Sequence, residues 1–225
     1  MRAIDWQSRL QRQREEYRKV VFTRAELANL AGAQPESLSI ALQRLVKKGV
    51  LIRYASARYG LPGAVAPEDL VPTLDSSAYL TGLFALYRHR MVTQMPTEIV
   101  CFSRRRHNRS RVRQTPLGRI VFICVESAVY AMPQEGVLAA PEQALCDYVF
   151  LCRKRGVAAA SLVTFRNLDR LDSSVLDATL PRYSATVRQE VARILGLKQA
   201  PKAEVSITKG SAPNLAKSLP KPCRK

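Results

Sequence analysis

Apolar residues recur at helical spacing in three stretches near the start of the chain, and each stretch has its own boundary signals. Over residues 5–19, a narrow apolar stripe lies among arginine and glutamine, which predicts a first helix with a basic outer face. Thr23 and Glu26 have the spacing of a capping box, so a second helix should begin near Arg24. Gly32 then tolerates the left-handed conformation that ends a helix, and a very short turn follows it.

A third helix is predicted from Pro35, which suits the first turn of a helix, to Gly49. Four of its residues share a core-facing stripe: Leu38, Ala41, Leu42 and Leu45. Its other face is polar and basic around an isoleucine: Glu36, Ser37, Ile40, Gln43, Arg44 and Lys47. After Gly49 the helix should end in a Schellman motif, with Val50 packed against Leu45.

Two short apolar runs follow the third helix. Residues 51–54, LIRY, and residues 57–62, ARYGLP, predict a pair of strands joined by a short loop. The order of helix, tight turn, helix and two strands over residues 21–62 is typical of a winged helix-turn-helix. In that interpretation the strand pair is the wing.

The pattern changes after Pro62. Residues 63–75 contain two prolines and little periodicity, which predicts a linker. From Ser76 through Tyr87 apolar residues have helical spacing, so a largely buried helix is predicted there. Four short apolar runs then predict the strands of a small sheet: residues 97–102, 119–125, 129–132 and 136–139.

Three amphipathic stretches complete the predicted fold, at residues 140–156, 173–180 and 184–196. From Leu197 onward the chain is rich in proline, serine and lysine, which predicts a disordered basic tail. The predicted fold class is therefore α+β, with an N-terminal winged helix-turn-helix followed by a mixed α/β C-terminal domain that has a small sheet and flanking helices. The predicted boundaries are a winged helix at 1–62, a linker at 63–75, a second domain at 76–196 and the tail at 197–225.

Charge narrows the range of partners. The chain has 36 lysines and arginines against 18 aspartates and glutamates, a formal charge of +18. Polyanions are the natural partners of such a protein, and binding to them should weaken steeply with salt. No segment approaches the apolar length needed to span a bilayer, so we expect a cytoplasmic protein without a membrane partner. Five cysteines without a CxxC pair and two histidines predict no structural zinc site, disulfide framework or cofactor.

Double-stranded DNA is the partner that the third helix and the wing predict, because side chains on an outward helix can reach phosphates and base edges. The predicted DNA contacts are Gln34, Ser37, Ile40, Gln43, Arg44, Lys47, Arg53 and Arg58. Glu36 would repel phosphate and is expected to cap the helix instead. Lys47 has the alternative of stabilising the C-terminal end of the helix. For the unit as a whole, the alternative is a winged helix that binds only protein.

The densest positive charge lies between two predicted strands, at residues 103–118. Six arginines there form a predicted second contact with an anion or a partner: Arg104, Arg105, Arg106, Arg109, Arg111 and Arg113. A solvated hairpin loop and a contact with an acidic patch of a protein are the alternatives. His107 is interpreted as a bystander in this segment and not as a catalyst.

A nucleic-acid-processing enzyme is a further alternative, and its only candidate metal ligands are Glu98, Glu126, Glu142 and Asp147. These carboxylates have no familiar spacing, and the sequence has neither a phosphate-binding loop nor a convincing Ser/His/Asp set. We therefore expect no catalytic and no metal-binding residues. Asp147 is expected to make a structural salt bridge, and Cys146 and Cys152 to be core or surface thiols.

Several blocks, taken in order, resemble the AbiEi-like antitoxins of type IV toxin–antitoxin systems, first met as abortive-infection proteins. The blocks are the winged helix with Tyr59, Leu61 and Pro62, then AYLTGLFALYRHRMVTQMPTEIVCFS, IVFICV and APEQALCDYVF. They cover most of residues 20–155, and their order and spacing carry the resemblance. Relatives often place a glycine in the wing turn, where this chain has Ala55, Ser56 and Ala57.

The resemblance implies a DNA-binding autorepressor whose winged helix recognises inverted repeats at its own promoter, as a monomer or a weak dimer. It also implies that the second domain helps to neutralise a cognate nucleotidyltransferase toxin. Among the site residues, it supports only the positions of the third helix and the wing as DNA contacts. A stand-alone regulator without a toxin is the alternative within this family.

Overall fold

The computed structural model describes residues 3–32 and 34–196, without the side chains of residues 35 and 36, so the predicted tail lies outside the described residues. The helices are α1 (Ala3–Tyr17), α2 (Arg24–Ala31), α3 (Pro35–Lys47), α4 (Pro67–Leu74), α5 (Gly82–Arg88), α6 (Pro141–Lys154), α7 (Ser173–Thr179) and α8 (Ala185–Ile194). The strands are β1 (Val21–Thr23), β2 (Ile52–Ala55), β3 (Arg58–Gly60), β4 (Tyr79–Leu80), β5 (Glu98–Ser103), β6 (Val112–Thr115) and β7 (Gly118–Cys124). The fold is α+β, as the sequence predicts.

Local signals fix the helices of the amino-terminal unit, by which we mean α1–α3 and β1–β3. The backbone N–H of Glu26 donates to the hydroxyl of Thr23 at 3.2 Å, and the Glu26 carboxylate accepts from the backbone N–H of Thr23 at 2.8 Å, which completes the predicted capping box of α2. Gly32 ends α2 with a φ of +58°. After α3, the backbone N–H of Val50 donates to the carbonyl of Leu45 at 3.0 Å, as in the predicted Schellman motif.

The first sheet has three antiparallel strands in the order β1–β3–β2. β2 and β3 are the predicted strand pair, whereas β1 has only three residues and no alternation that a sequence pattern could show. The turn between β2 and β3 places Ala57 at a φ of +54°, which an alanine adopts only with strain. The sheet and the three helices enclose a core that includes Trp6, Leu10, Phe22, Leu27, Leu38, Leu42 and Leu45.

Most of residues 63–75, the predicted linker, forms helix α4. Pro67 occupies the first turn of α4, and the Asp69 carboxylate accepts a 2.8 Å hydrogen bond from the backbone N–H just before the helix. Leu70 and Val71 are completely buried. A proline that begins a helix looks, in the sequence alone, like a proline that interrupts one.

The second sheet has the order β4–β5–β7–β6, in which β5 and β7 are parallel and the outer pairs are antiparallel. β5 and β7 are the predicted strands at 97–102 and 119–125. The strands predicted at 129–132 and 136–139 are absent, because their strand pairing is limited to one bridge between Leu138 and Leu80, although Val129 and Ala139 pack in the core. The predicted helix from Ser76 likewise begins only at Gly82, because β4 precedes it.

The central strand β5 of the second sheet is buried on both faces, and its side chains alternate between two cores. Val100 and Phe102 of β5 enter a core formed with α5, α6, α7 and α8. Ile99 and Cys101 point to the other side, into a core shared with α4 and the first sheet. That shared core joins the amino-terminal unit to the rest of the chain through Val21, Tyr54, Val65, Leu70, Ile99 and Ile120.

Candidate nucleic-acid interface

α3 has one buried and one outward face. Leu38, Leu42 and Leu45 are 1%, 2% and 4% exposed, and they anchor the helix on the amino-terminal core. The outward face and the residue before the helix present six of the predicted contact residues to solvent: Gln34, Ser37, Ile40, Gln43, Arg44 and Lys47. Within residues 3–32 and 34–196, nothing covers this surface, so it is available to a partner.

Most of the outward side chains of α3 have no hydrogen-bonding partner among the described residues. Within the described residues, the side chains of Gln43, Arg44 and Lys47 make no hydrogen bond or ion pair. Ser37 donates its hydroxyl proton to the carbonyl of Gln34 at 2.9 Å, which leaves the serine oxygen as an acceptor. The helix therefore offers both donors and acceptors toward solvent.

A groove of about 270 Å³ separates α3 from the β2–β3 hairpin. Its lining includes three predicted contact residues, Gln43, Lys47 and Arg53, together with Leu42, Val46 and Tyr59. Tyr59 was not among the residues predicted from the sequence. The signal that could have identified it is its place in the same short basic strand pair, directly across from Arg53 in the sheet register.

Arg58 differs from the other predicted contacts. Its Nε and Nη2 atoms donate to the carbonyl oxygen of Thr73 at 3.0 and 2.7 Å, and the residue is half-buried. Arg58 therefore fastens the hairpin to α4. The sequence could not show this contact, because it depends on helix α4, which the sequence pattern does not predict.

Residues 103–118, here called the arginine segment, are not a simple hairpin loop, because they contain a short 3-10 turn at Asn108–Ser110 and then strand β6. Five of its predicted contact residues are exposed: Arg104, Arg105, Arg106, Arg109 and Arg111. Arg113 is half-buried, with its guanidinium carbon 5.3 Å from the ring centroid of Phe122. The Nε atom of Arg113 is buried and has no hydrogen-bond partner among the described residues.

The six arginines of this segment make no direct ion pairs with carboxylates of the described residues. Burial lowers the pKa of Arg113, and the positive charges of Arg105 and Arg58 lower it further. The charge of Arg58 in the hairpin thus acts on Arg113 in the arginine segment. The two regions are adjacent in the structure, since strand β2 contacts strand β6.

A buried polar cluster holds the start of the arginine segment in place. The carboxylate of Asp75 accepts hydrogen bonds from the hydroxyl of Ser103 at 2.5 Å and from Nε2 of His107 at 2.7 Å. The His107 ring also packs against Phe122, with the ring centroids 4.4 Å apart. Burial raises the pKa of Asp75, but the hydrogen bonds from Ser103, Ser77 and His107 outweigh it and lower that pKa to about 2. His107 is thus a structural anchor, a role that the sequence did not indicate.

Asp147 lies at the centre of a second buried cluster and makes no salt bridge within the described chain, so that expectation is wrong. Its carboxylate accepts hydrogen bonds from the hydroxyls of Thr81 at 2.6 Å, Tyr183 at 2.6 Å and Tyr79 at 3.3 Å. Burial raises the pKa of Asp147 to about 7, although the three hydroxyls oppose the rise. The cluster joins three distant parts of the sequence, at Tyr79 and Thr81, at Asp147 and at Tyr183, and no local pattern could predict it.

The other candidate carboxylates lie apart from Asp147 in their roles. Glu98 pairs with Arg119 at 3.2 Å, Glu142 accepts the backbone N–H of Asp172 at 2.8 Å, and Glu126 is exposed. Across residues 3–32 and 34–196, no three histidine, cysteine, aspartate or glutamate side chains cluster so that they could hold a metal ion.

The four cysteines of the described residues divide into a buried and an exposed group. Cys101, Cys146 and Cys152 are buried free thiols, while Cys124 is exposed beside the arginine segment.

None of the described helices is both long enough and apolar enough to cross a membrane. Compared with known proteins, the sequence matches no protein-family model and no curated protein.

Proposed function

We propose that the protein is a sequence-specific DNA-binding transcriptional autorepressor, in which the amino-terminal unit is a winged helix-turn-helix. The observation that carries this proposal is the outward face of α3, where Gln43, Arg44 and Lys47 have no partner among the described residues. The major groove of B-DNA admits an α-helix, and amide and guanidinium groups on that helix match the hydrogen-bonding edges of adenine and guanine.

The surroundings of α3 support the same proposal. Arg53 and Tyr59 extend the surface across the hairpin, where a wing would meet the sugar-phosphate backbone. The arginine segment adjoins this hairpin, and its six arginines make no ion pair with a carboxylate among the described residues, so it would add phosphate contacts. Arg58 acts indirectly, by holding the hairpin against α4. A cytoplasmic location is part of the proposal, because the antitoxins that the sequence resembles are proteins of bacteria, whose chromosome lies in the cytoplasm.

An antitoxin role is a second and separable part of the proposal. Its support is the order of the sequence blocks in the second domain, which resembles that of antitoxins that neutralise a nucleotidyltransferase toxin. Co-expression with the product of the neighbouring gene tests this part, because growth inhibition by a cognate toxin should be relieved. If the neighbour is not toxic, or if its toxicity persists, the protein is a stand-alone regulator.

Mobility shift with the full chain tests the repressor. The DNA upstream of its own gene is compared with random duplex of equal length, at moderate salt. Tighter binding to the upstream DNA is expected, and equal binding to both would remove the specific-repressor proposal, because phosphate contacts alone give no sequence preference. The labelled strands should stay intact with Mg²⁺ or Mn²⁺ present, whereas cleavage would support a nucleic-acid-processing enzyme instead.

A further inference from the structure

Ile40 lies in the middle of the outward face of α3 and is 52% exposed. At about 100° per residue, it is roughly 160° around the helix axis from both Leu38 and Leu42. It therefore contributes nothing to the core that these two leucines anchor. Gln43 and Arg44, one turn further along the helix, flank it on the same face.

An isoleucine is an unusual residue at an exposed helix position such as that of Ile40. A β-branched side chain forms helix less readily than the straight-chain residues that normally fill an exposed face. Its apolar surface is stabilised only when a partner removes it from water. Its described neighbours on this face, Ser37, Gln43 and Arg44, are polar or charged, so the described surface around Ile40 lacks the contiguous apolar patch that docking of another protein requires.

Duplex DNA offers one apolar group in the major groove, the C5 methyl of thymine. An isolated isoleucine among hydrogen-bonding side chains fits that arrangement, because its neighbours would engage base edges and phosphates while it contacts the methyl group. We propose that Ile40 determines specificity by contacting the C5 methyl of thymine in the binding site. This inference rests on the proposed function, and it adds the base that the helix centre selects.

The test begins with a binding site selected by the full-length protein from a library of random duplexes. Each thymine of the selected site is then replaced in turn by deoxyuridine, which removes the methyl group and preserves base pairing. We expect the affinity to fall about threefold to tenfold at one or two positions, as when one buried methyl group is removed. The Ile40→Ala variant should bind the thymine and uracil sites equally, whereas Ile40→Val should retain part of the discrimination.

Ile4→Ala is the matched control, because Ile4 is also an exposed helical isoleucine, at 65% exposure, but lies on α1. This control should discriminate thymine from uracil as the wild type does. Circular dichroism and the urea unfolding midpoint establish that each variant is folded. A variant that unfolds is replaced by Ile40→Ser, which has no methyl group and a polar side chain, and which should lose the discrimination.

The outcomes separate the two proposals. Selection of no preferred site overturns the proposed function and this inference together. A preferred site whose affinity is insensitive to uracil at every position leaves the repressor standing and overturns the role of Ile40. Discrimination that persists unchanged in Ile40→Ala also overturns it, because another side chain would then contact the methyl group.

Discussion

Nε2 of His107 lies 2.7 Å from Oδ2 of Asp75, and both side chains are buried at the point where the arginine segment leaves β5. The hydroxyl of Ser103 donates to the same carboxylate oxygen, and Ser77 donates to the other one. One carboxylate thus connects the end of α4 to the start of the arginine segment. The position of the exposed arginines depends on a cluster that they do not themselves form.

Asp75→Asn should lower the free energy of unfolding near neutral pH by about 1–3 kcal/mol, because an amide cannot accept all the hydrogen bonds that converge on the carboxylate. The native pKa of Asp75, about 2, lies below its ordinary value of 3.8. The carboxylate therefore stabilises the native state fully above about pH 4, and this contribution is lost as the pH falls through about 2. Urea unfolding of both proteins across this range should show their difference in stability shrinking toward low pH.

Asp177→Asn is the control for that experiment, since Asp177 is exposed on α7. It should leave both the stability and its pH dependence close to those of the wild type. A difference between wild type and Asp75→Asn that stays constant from pH 4 to pH 2 would show that the carboxylate charge of Asp75 does not contribute.

Asp147→Asn should make the free energy of unfolding less dependent on pH. The wild-type contribution of Asp147 is lost as the pH rises, whereas that of Asp75 is lost as the pH falls. Burial raises the native pKa of Asp147 to about 7, so the native state binds a proton that the unfolded chain has already lost near pH 5. The stability that depends on this protonation is present below about pH 4 and is lost as the pH rises through about 7. Relative to Asp147→Asn, the wild type should lose on the order of a few kcal/mol of unfolding free energy between about pH 5 and pH 8.

Asp147→Ala separates the charge from the hydrogen bonds. It removes the acceptor for Thr81, Tyr183 and Tyr79 at every pH, so it should be destabilising throughout and have a similarly flat profile. Parallel pH profiles for wild type and Asp147→Asn would contradict a raised pKa in the native protein.

Arg44→Ala and Gln43→Ala should relax sequence preference by about 1–3 kcal/mol at one base pair each, because each would remove a hydrogen bond to a base edge. Neutralising Arg104, Arg105 and Arg106 together should instead weaken binding to all sequences about equally. It should also flatten the dependence of log affinity on log salt by up to about 0.9 for each phosphate that is no longer neutralised. Fluorescence anisotropy at several salt concentrations measures both effects.

The triple substitution of Arg170, Arg182 and Arg188 is the charge-matched control, because all three are exposed and lie near the C-terminal end of the described chain. It removes the same net charge away from the hairpin, so the salt dependence should change less than in the other triple variant. Equal reductions in affinity for the two variants would indicate that only total charge matters.

Gly60→Ala should destabilise the protein by about 2–3 kcal/mol through overpacking. A Cβ atom at this position would lie 2.5 Å from Cγ2 of Val65 and 2.7 Å from the carbonyl oxygen of Val20, and a backbone atom cannot yield easily. Gly63→Ala is the comparison, since it meets nothing within 4 Å but has a φ of +68°. Backbone strain alone should cost about 1 kcal/mol there, and thermal unfolding should rank the two variants in that order.

The sequence predicts an element well where its signals are local. The capping box of Thr23 and Glu26, the glycine that ends α2 and the apolar runs of β5 and β7 each depend on residues within a few positions of one another. The strand β6 is not predicted because three of its four residues, Arg113, Gln114 and Thr115, are polar and because it is held by pairing with β7 instead of by its own pattern. Helix α4 was missed because its prolines look like breaks in the chain.

The candidate interface was predicted in the same unequal way. The outward residues of α3 follow from helical periodicity, since the buried leucines determine which side faces solvent. The fate of Arg58 depends on the carbonyl of Thr73, fifteen residues away, and the roles of His107 and Asp147 depend on partners still more distant. Such interactions are products of tertiary packing, and one sequence contains no local trace of them.

The apolar cluster that Val21 and Tyr54 share with Ile99 bears on how this protein can be dissected. Truncation after Pro62 would remove α4 and expose to solvent the apolar residues on the inner face of the first sheet. Such a fragment should aggregate. Because an aggregate of a basic protein slows the migration of any DNA in a gel, it would give a mobility shift without sequence specificity. Experiments on site selection therefore require the intact chain.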